Sequence, residues 1–340
     1  MLKERINVLC ESNQFRFIEF PDTAKIRNKL DFMFVALKRN MLGIRYLGAL
    51  KEKYDIVYSV SSVLDMILLP FLLKKNDKQV RWVTIFDNIV PLSDPGNRFF
   101  RFLAWFFFRV SLVFLKEADA ICAISGELKR FLIENGFDES KITVTGNGVE
   151  TDLIEKVERP AQCDIDALFI GRINETKGIY EMLKILALVK KQIPDFHLAI
   201  MGAGDATTER EFRRAIRDAG LERNIQFLGY KSGEEKFRII KSSKCFWFFS
   251  VSDSESFGVA LLEAVCSGVP AFAYDLLPFR DIYRNGEVTL VKIYDCVSAA
   301  EKIISLFNKG DFSNKRGEML LFRYQWDIIA ETEYVVFNRV

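Results

Sequence analysis

The amino-acid sequence predicts an α/β protein of two domains, each built around a parallel sheet. Short apolar runs alternate along the chain with amphipathic helical patterns, as βαβ units require. The 340 residues, 49% hydrophobic and 28% charged, are enough to bury two cores. A polar stretch at 155–163, containing Pro160, separates two such alternating series.

In the first series, residues 55–60 read as a strand, 63–73 as a helix and 81–86 as the next strand, and Pro91, Pro95 and Gly96 mark a loop. Residues 99–115 follow, dense in aromatics and interrupted by Arg101 and Arg109, which is too short and too charged a run to span a membrane. Two readings stay open for it: a helix buried between sheet and neighbours, or one partly sunk in a membrane interface with its arginines reaching headgroups. Residues 120–124 read as a strand, and Ser125 is placed to cap a helix over 126–135.

After the loop 145–149 and the linker, the second series runs strand 167–170, helix 180–191, strand 196–201, helix 208–219 and strand 225–228. Strand 244–249, a short apolar helix, a stop at 267–270 and strand 271–274 complete it. Residues 325–340 carry a helical pattern that is expected to cross back to the first domain. The expected divisions are 1–155, 156–322 and 323–340.

Composition narrows the function. Net charge is only +2, and no basic motif interleaved with aromatics is present, so nucleic acid is not an expected partner. One basic run stands out, with Lys25, Arg27, Lys29, Lys38, Arg39, Arg45, Lys51 and Lys53 against Asp31 and Glu52. It reads either as a solvated helical face or as a surface for an anionic membrane. Cys10, Cys122, Cys163, Cys245, Cys266 and Cys296 stand singly, without zinc spacing or a secretory signal, as reduced thiols of a cytoplasmic protein do. His197 is the only histidine, so neither a histidine metal site nor a triad is expected. Asp164 and Asp166 imitate a metal motif but precede a strand instead of following one, and no metal or cofactor is expected.

The chemistry concentrates at strand ends of the second series. In the run Glu255, Ser256, Phe257, Gly258, Val259 through Glu263, two acids bracket the glycine-bearing entrance of a helix. Backbone N–H groups of Phe257, Gly258 and Val259 there would attract phosphate. Glu255 would face what hangs from the phosphate, and Glu263 would reach a ribose hydroxyl pair; alternatively, Glu263 is a solvated helix residue and Glu255 an ordinary N-cap-region acid favoured by the dipole. Gly171, Arg172, Lys177 and Gly178 follow another strand, with Arg172 as a fork and Lys177 as a point charge for a diphosphate. Gly202 and Gly204 form a tight loop after the next strand, short of a full dinucleotide fingerprint.

With these motifs in order, the chain resembles the retaining glycosyltransferases of family 4. The resemblance rests on residues 118–128 with Asn147, Gly148 and Val149, on Gly171-Arg172 with Lys177-Gly178, and on Glu255 to Glu263 followed by Gly268, Val269 and Pro270. It covers residues 118–275 and extends weakly to Trp326. It implies the GT-B fold, two Rossmann-like domains facing across a cleft, and transfer of a sugar from a UDP- or GDP-sugar to a glycan or lipid-linked acceptor without a metal. By that resemblance Arg172 and Lys177 bind the donor diphosphate, Glu263 the ribose and Glu255 the transferred sugar. The place expected is cytoplasmic, peripheral on the inner face of the membrane.

Two departures accompany the resemblance. The usual first strand and glycine-rich loop are missing: residues 1–5 read as a helix end and 6–10 as the second strand of the usual domain. A shortened chain, a strand supplied by a completing subunit, or lost catalysis are the alternatives. Phe86 stands where the family commonly has a cleft histidine, and Asp87 beside it is an expected acceptor-side catalytic residue.

Overall fold

The computed structural model describes residues 29–47, 54–93 and 97–340. The expected helix end at 1–5, the strand at 6–10, Cys10, and Lys25, Arg27, Lys51 and Lys53 of the basic run lie outside the described residues. Two parallel sheets organise the chain. The first contains β1 (Ile56–Ser59), β2 (Arg81–Phe86), β3 (Ala120–Ala123) and β4 (Ile142–Val144), side by side in chain order.

The second sheet contains β5 (Ile165–Ile170), β6 (Leu198–Met201), β7 (Ile225–Gly229), β8 (Ser243–Phe248), β9 (Ala271–Tyr274) and β10 (Val288–Val291). Their order is β10-β9-β8-β5-β6-β7. The chain builds outward from β5 to β7, then returns to lay β8 against the other edge of β5. The loops after β5 and β8 therefore diverge, and an open parallel sheet takes its ligand at such a switch point. β8 holds its place because Cys245, Phe246 and Trp247 are fully buried, which suits a central strand covered on both faces.

Several predicted elements coincide with observed ones, β2 and β9 with identical bounds. Unpredicted were β4, β10 and the helices Thr151–Lys156, Gly233–Lys241, Leu277–Ile282, Cys296–Lys309, Lys315–Glu318 and Leu321–Tyr324. The first of these helices occupies the end of the first series, up to the expected linker. The helix Trp326–Phe337 lies against the first sheet, where Val336 packs with Val83, Ala120 and Cys122, and Tyr58 Oη donates to Glu333 at 2.7 Å.

The aromatic helix Arg98–Leu115 is capped by Asn97, whose side chain accepts the N–H groups of Phe99 and Phe100. It buries Phe108, Ser111, Leu112 and Leu115, all in its second half. Phe99, Phe102, Phe106 and Phe107 are exposed, so full burial between sheet and neighbours does not describe it. Among the described residues no helix is long and apolar enough to cross a membrane.

Candidate active site

The loop after β5 is fixed before any ligand is considered. Asn174 Oδ1 accepts the Lys177 N–H at 3.1 Å and the Thr176 hydroxyl at 2.9 Å, closing a single helical turn. Gly178 then takes a left-handed conformation, φ 70°, and a Cβ there would stand 1.8 Å from the carbonyl oxygen of Phe249. Only glycine lets the β5 loop meet the end of β8 so closely. Two hydrogen bonds lace the loops together, from the Val251 N–H and the Ser250 hydroxyl to the carbonyl of Thr176, both 3.0 Å.

That lacing brings two predicted site residues into contact. Lys177 Nζ lies 2.5 Å from Glu255 Oε2, with both side chains largely buried, and 5.5 Å from the centre of the Phe248 ring. Glu255 is therefore held by a lysine of another loop as well as by its place before the helix. Arg172 is exposed and makes no ion pair or hydrogen bond among the described residues.

Gly258 ends the loop in a left-handed conformation, φ 71°, with no side-chain cap on the helix Val259–Cys266. Among the described residues the N–H groups of Phe257, Gly258 and Val259 find no acceptor. Phe257 itself is buried against the Tyr324 ring, and Ser256 is half-buried. Such an uncapped helix entrance is a ready anion site, and the lysine stands at its side.

Glu263 sits farther along the same helix. It is only 8% exposed and lies 2.6 Å from Lys236 Nζ, on the helix Gly233–Lys241. Burial pushes its carboxyl above the usual range, and Lys236 pulls it back down. The alternative of a solvated helix residue fails for Glu263. Lys236 escaped the sequence reading because its helix did, although the acidic first turn Glu234-Glu235 ahead of a basic last turn is a legible helix signal.

The glycine loop after β6 closes against the β5 loop. A Cβ on Gly202 would stand 1.9 Å from the carbonyl oxygen of Gly171, and the Gly204 N–H is taken by Glu209 Oε1 at 2.7 Å. Gly202 thus supports the Arg172 loop from beneath. Asp166 accepts the His197 N–H at 2.9 Å and pairs with Lys244 at 2.7 Å, as part of the sheet.

On the first sheet, Asp87 Oδ1 accepts the Ser62 N–H and hydroxyl, and the Ser61 hydroxyl lies 3.0 Å from Oδ2. It ties the ends of β1 and β2 together and is half-buried. Phe86 points the other way, fully buried and stacked on Phe131 at 6.0 Å. Alternation along β2 sends Phe86 into the core and Asp87 past the strand end. The two halves meet in the Arg130–Asp281 ion pair at 2.9 Å and in the Ser93–Asp253 hydrogen bond at 2.8 Å.

Comparison with known proteins agrees with this geometry. The family model of glycosyl transferases group 1 matches residues 150–319, and that of glycosyltransferase family 4 matches residues 8–153. A phosphatidyl-myo-inositol mannosyltransferase of Mycobacterium leprae is 31% identical over 228 residues, 64% of this chain and 58% of that protein. A GDP-mannose:cellobiosyl-diphosphopolyprenol alpha-mannosyltransferase of Xanthomonas oryzae is 27% identical over 215 residues, 62% of this chain and 53% of that protein. The chain thus matches little more than half the length of these relatives.

Among solved structures, a glycosyltransferase of Rickettsia africae superimposes with a TM-score of 0.70 at 16% identity, over 98% of this chain and 87% of that one. The HepE protein of Anabaena, in complex with UDP and glucose, gives a TM-score of 0.72 at 15% identity over 98% and 88%. These likenesses, with the two parallel sheets, establish the GT-B fold that the sequence led us to expect. The chain belongs to the family of glycosyl transferases group 1.

Proposed function

We propose that the chain transfers a sugar, with retention of anomeric configuration, from a UDP- or GDP-sugar to a lipid-linked or glycan acceptor at the cytoplasmic face of a membrane. The observation that carries this reading is the Lys177–Glu255 pair at the β5/β8 switch point, beside an uncapped helix entrance. Arg172 and Lys177 hold the diphosphate and neutralise the charge that grows on it. Glu263 accepts the ribose hydroxyls, and Glu255 accepts hydroxyls of the sugar once the phosphate has drawn Lys177 away.

No side chain is placed as a nucleophile in this reading. The bond from the anomeric carbon to the diphosphate oxygen breaks with its electrons going to the phosphate. The acceptor oxygen bonds the same face, and its proton passes to the departing phosphate oxygen. Positioning and charge stabilisation supply the rate. Asp87, anchored by Ser61 and Ser62, is the acceptor-side residue.

The relatives' names supply the acceptor class, since one acts on a phosphatidyl-inositol and the other on a diphosphopolyprenol glycan. The membrane face is supported by the exposed Phe99, Phe102, Phe106 and Phe107, and by the helix Lys29–Leu47, which exposes Phe34, Leu37, Met41 and Ile44 alongside Lys38, Arg39 and Arg45. The purified chain is incubated with UDP- and GDP-sugars and a membrane lipid extract. Acceptor-dependent release of nucleoside diphosphate with at least one donor is expected, and its absence with every donor rejects the reading.

A further inference from the structure

Carboxylates of the second half of the chain reach the first half at Asp281 and Asp253, and the Asp281 contact has the parts of a latch. Asp281 lies on the helix Leu277–Ile282, which is pinned to the donor entrance by Phe279. That ring is fully buried; a Cβ on Gly258 would stand 2.9 Å from it, and the Phe248 ring is 5.7 Å away. Arg284 steadies Asp281 further, donating from Nε to its carbonyl oxygen at 2.9 Å and standing 3.6 Å from Oδ1. The other carboxylate oxygen, Oδ2, is turned toward the first half.

Its receiver is the helix Gly126–Glu134. Arg130 Nη1 on that helix lies 2.9 Å from Oδ2. The same oxygen stands at the helix N-terminus, where a Cβ on Gly126 would be 2.7 Å from it and the N–H groups of Gly126 and Glu127 have no backbone acceptor among the described residues. Glycine at 126 leaves the room, and the helix dipole favours the negative charge. A second crossing contact, from the Ser93 hydroxyl to Asp253 at 2.8 Å, falls on the loop that leads to Glu255.

Glu127 opposes both contacts. It is half-buried, and its Oε2 has no hydrogen-bond partner among the described residues. Burial pushes its carboxyl above the usual range, Arg130 pulls it down, and the charges of Asp281, Asp253 and Glu134 push it up. Arg130 and Glu134 share its helix, so their effect persists when the halves part. Asp281 and Asp253 come from the other half, and their push exists only while the halves touch. The joined arrangement therefore takes up a proton at Glu127 more readily than the parted one. Its advantage is fully present below the ordinary carboxylate pKa and is lost as pH rises through the raised value.

We propose that Asp281 is an electrostatic latch that holds the second half against the N-terminus of the helix Gly126–Glu134, and that Glu127 loosens it as pH rises. Because Phe279 ties the helix of Asp281 to Gly258, the latch acts at the wall of the donor entrance, whichever sugar is transferred.

Small-angle X-ray scattering of the full chain without ligand reads the separation of the halves as a radius of gyration. Wild type should contract as pH is lowered from about 8 to about 5.5, the range in which a raised carboxyl takes up its proton. Glu127→Gln should already be compact at the higher pH and should change little on acidification. Asp281→Asn and Arg130→Gln should each lose the contraction. At the lower pH, hydrogen–deuterium exchange of residues 126–130 should be faster in both than in wild type by about threefold or more, as a helix-terminal carboxylate or its ion pair is lost. All three variants should keep the thermal transition of wild type within a few degrees, which separates an open latch from a failed fold. A wild-type radius that is the same at both pH values, a Glu127→Gln chain that contracts as wild type does, or Asp281→Asn and Arg130→Gln chains that both still contract would each overturn the proposal.

Discussion

Lys177 Nζ stands 2.5 Å from Glu255 Oε2, joining side chains 78 residues apart in the chain. The residue expected to hold phosphate and the residue expected to face the sugar neutralise each other. In the proposed reading a donor separates them, and its diphosphate supplies the replacement charge. The two substitutions should then differ in kind. Glu255→Gln releases Lys177, so UDP or GDP binding should hold or tighten while transfer falls by about 100-fold or more, the scale of removing a transition-state contact. Lys177→Ala should lose both, and leave Glu255 nearly buried without its partner, at about 3 kcal/mol in stability. Calorimetry with UDP and GDP, beside a transfer assay, checks both; equal loss of nucleotide binding in the two variants contradicts the assignment.

Glu263 gives a dependence on pH whose sign follows from its burial. Its carboxyl is held above the usual range because burial disfavours the charge, so the folded state takes up the proton more readily than the unfolded chain. That contribution to stability is fully present below the ordinary carboxylate pKa and is lost as pH rises through the folded value. Glu263→Gln should therefore lose ground to wild type as pH falls into the carboxylate range, while at neutral pH it leaves Lys236 without its partner, a loss of the same kind as that in Lys236→Met. Lys236→Met should lower stability at neutral pH by about 3 kcal/mol, because a buried charge loses its partner. Melting curves from acidic to neutral pH decide, and a Glu263→Gln variant that gains on wild type toward low pH would refute the sign.

Part of this was legible in the sequence and part was not. The strand β8 and the entrance at Gly258 were readable from an apolar run followed by a helix bearing glycine at its start. Lys177 and Glu255 were readable as members of separate motifs, but their pairing depends on the crossover that lays β8 beside β5. Lys236 was out of reach once its helix was missed. Phe86 shows the same limit: its replacement of a cleft histidine was visible in the sequence, whereas its burial against Phe131 follows from strand alternation and from the helices behind β2.

Gly178 offers a test of the lacing between the two loops. Its backbone is left-handed, and a methyl group added there would stand 1.8 Å from the Phe249 carbonyl oxygen, so an alanine has no place without moving β8 or the β5 loop. Gly178→Ala should cost about 2 kcal/mol or more and weaken nucleotide binding, through backbone strain and a steric clash. Gly220, also at positive φ but with open space around it, is the control and should lose about 1 kcal/mol with nucleotide affinity unchanged. Equal effects at the two positions would show that the close approach is irrelevant.

The aromatic helix makes a separate prediction. Phe102 and Phe106 are 54% and 47% exposed, so replacing both with serine should leave the melting temperature within a few degrees of wild type. Co-sedimentation with anionic phospholipid vesicles should fall by about tenfold, as apolar contact with the interface is lost. Vesicle binding that survives the double substitution would assign the membrane contact to another surface.

Hydrogen–deuterium exchange in the presence and absence of UDP and GDP asks most directly whether the β5/β8 switch point holds the donor. Residues 171–178 and 255–263 should be protected together by at least one nucleotide in the wild type, and neither should be protected in Lys177→Ala. Nucleotide binding that leaves both segments exchanging as before would contradict a donor site there.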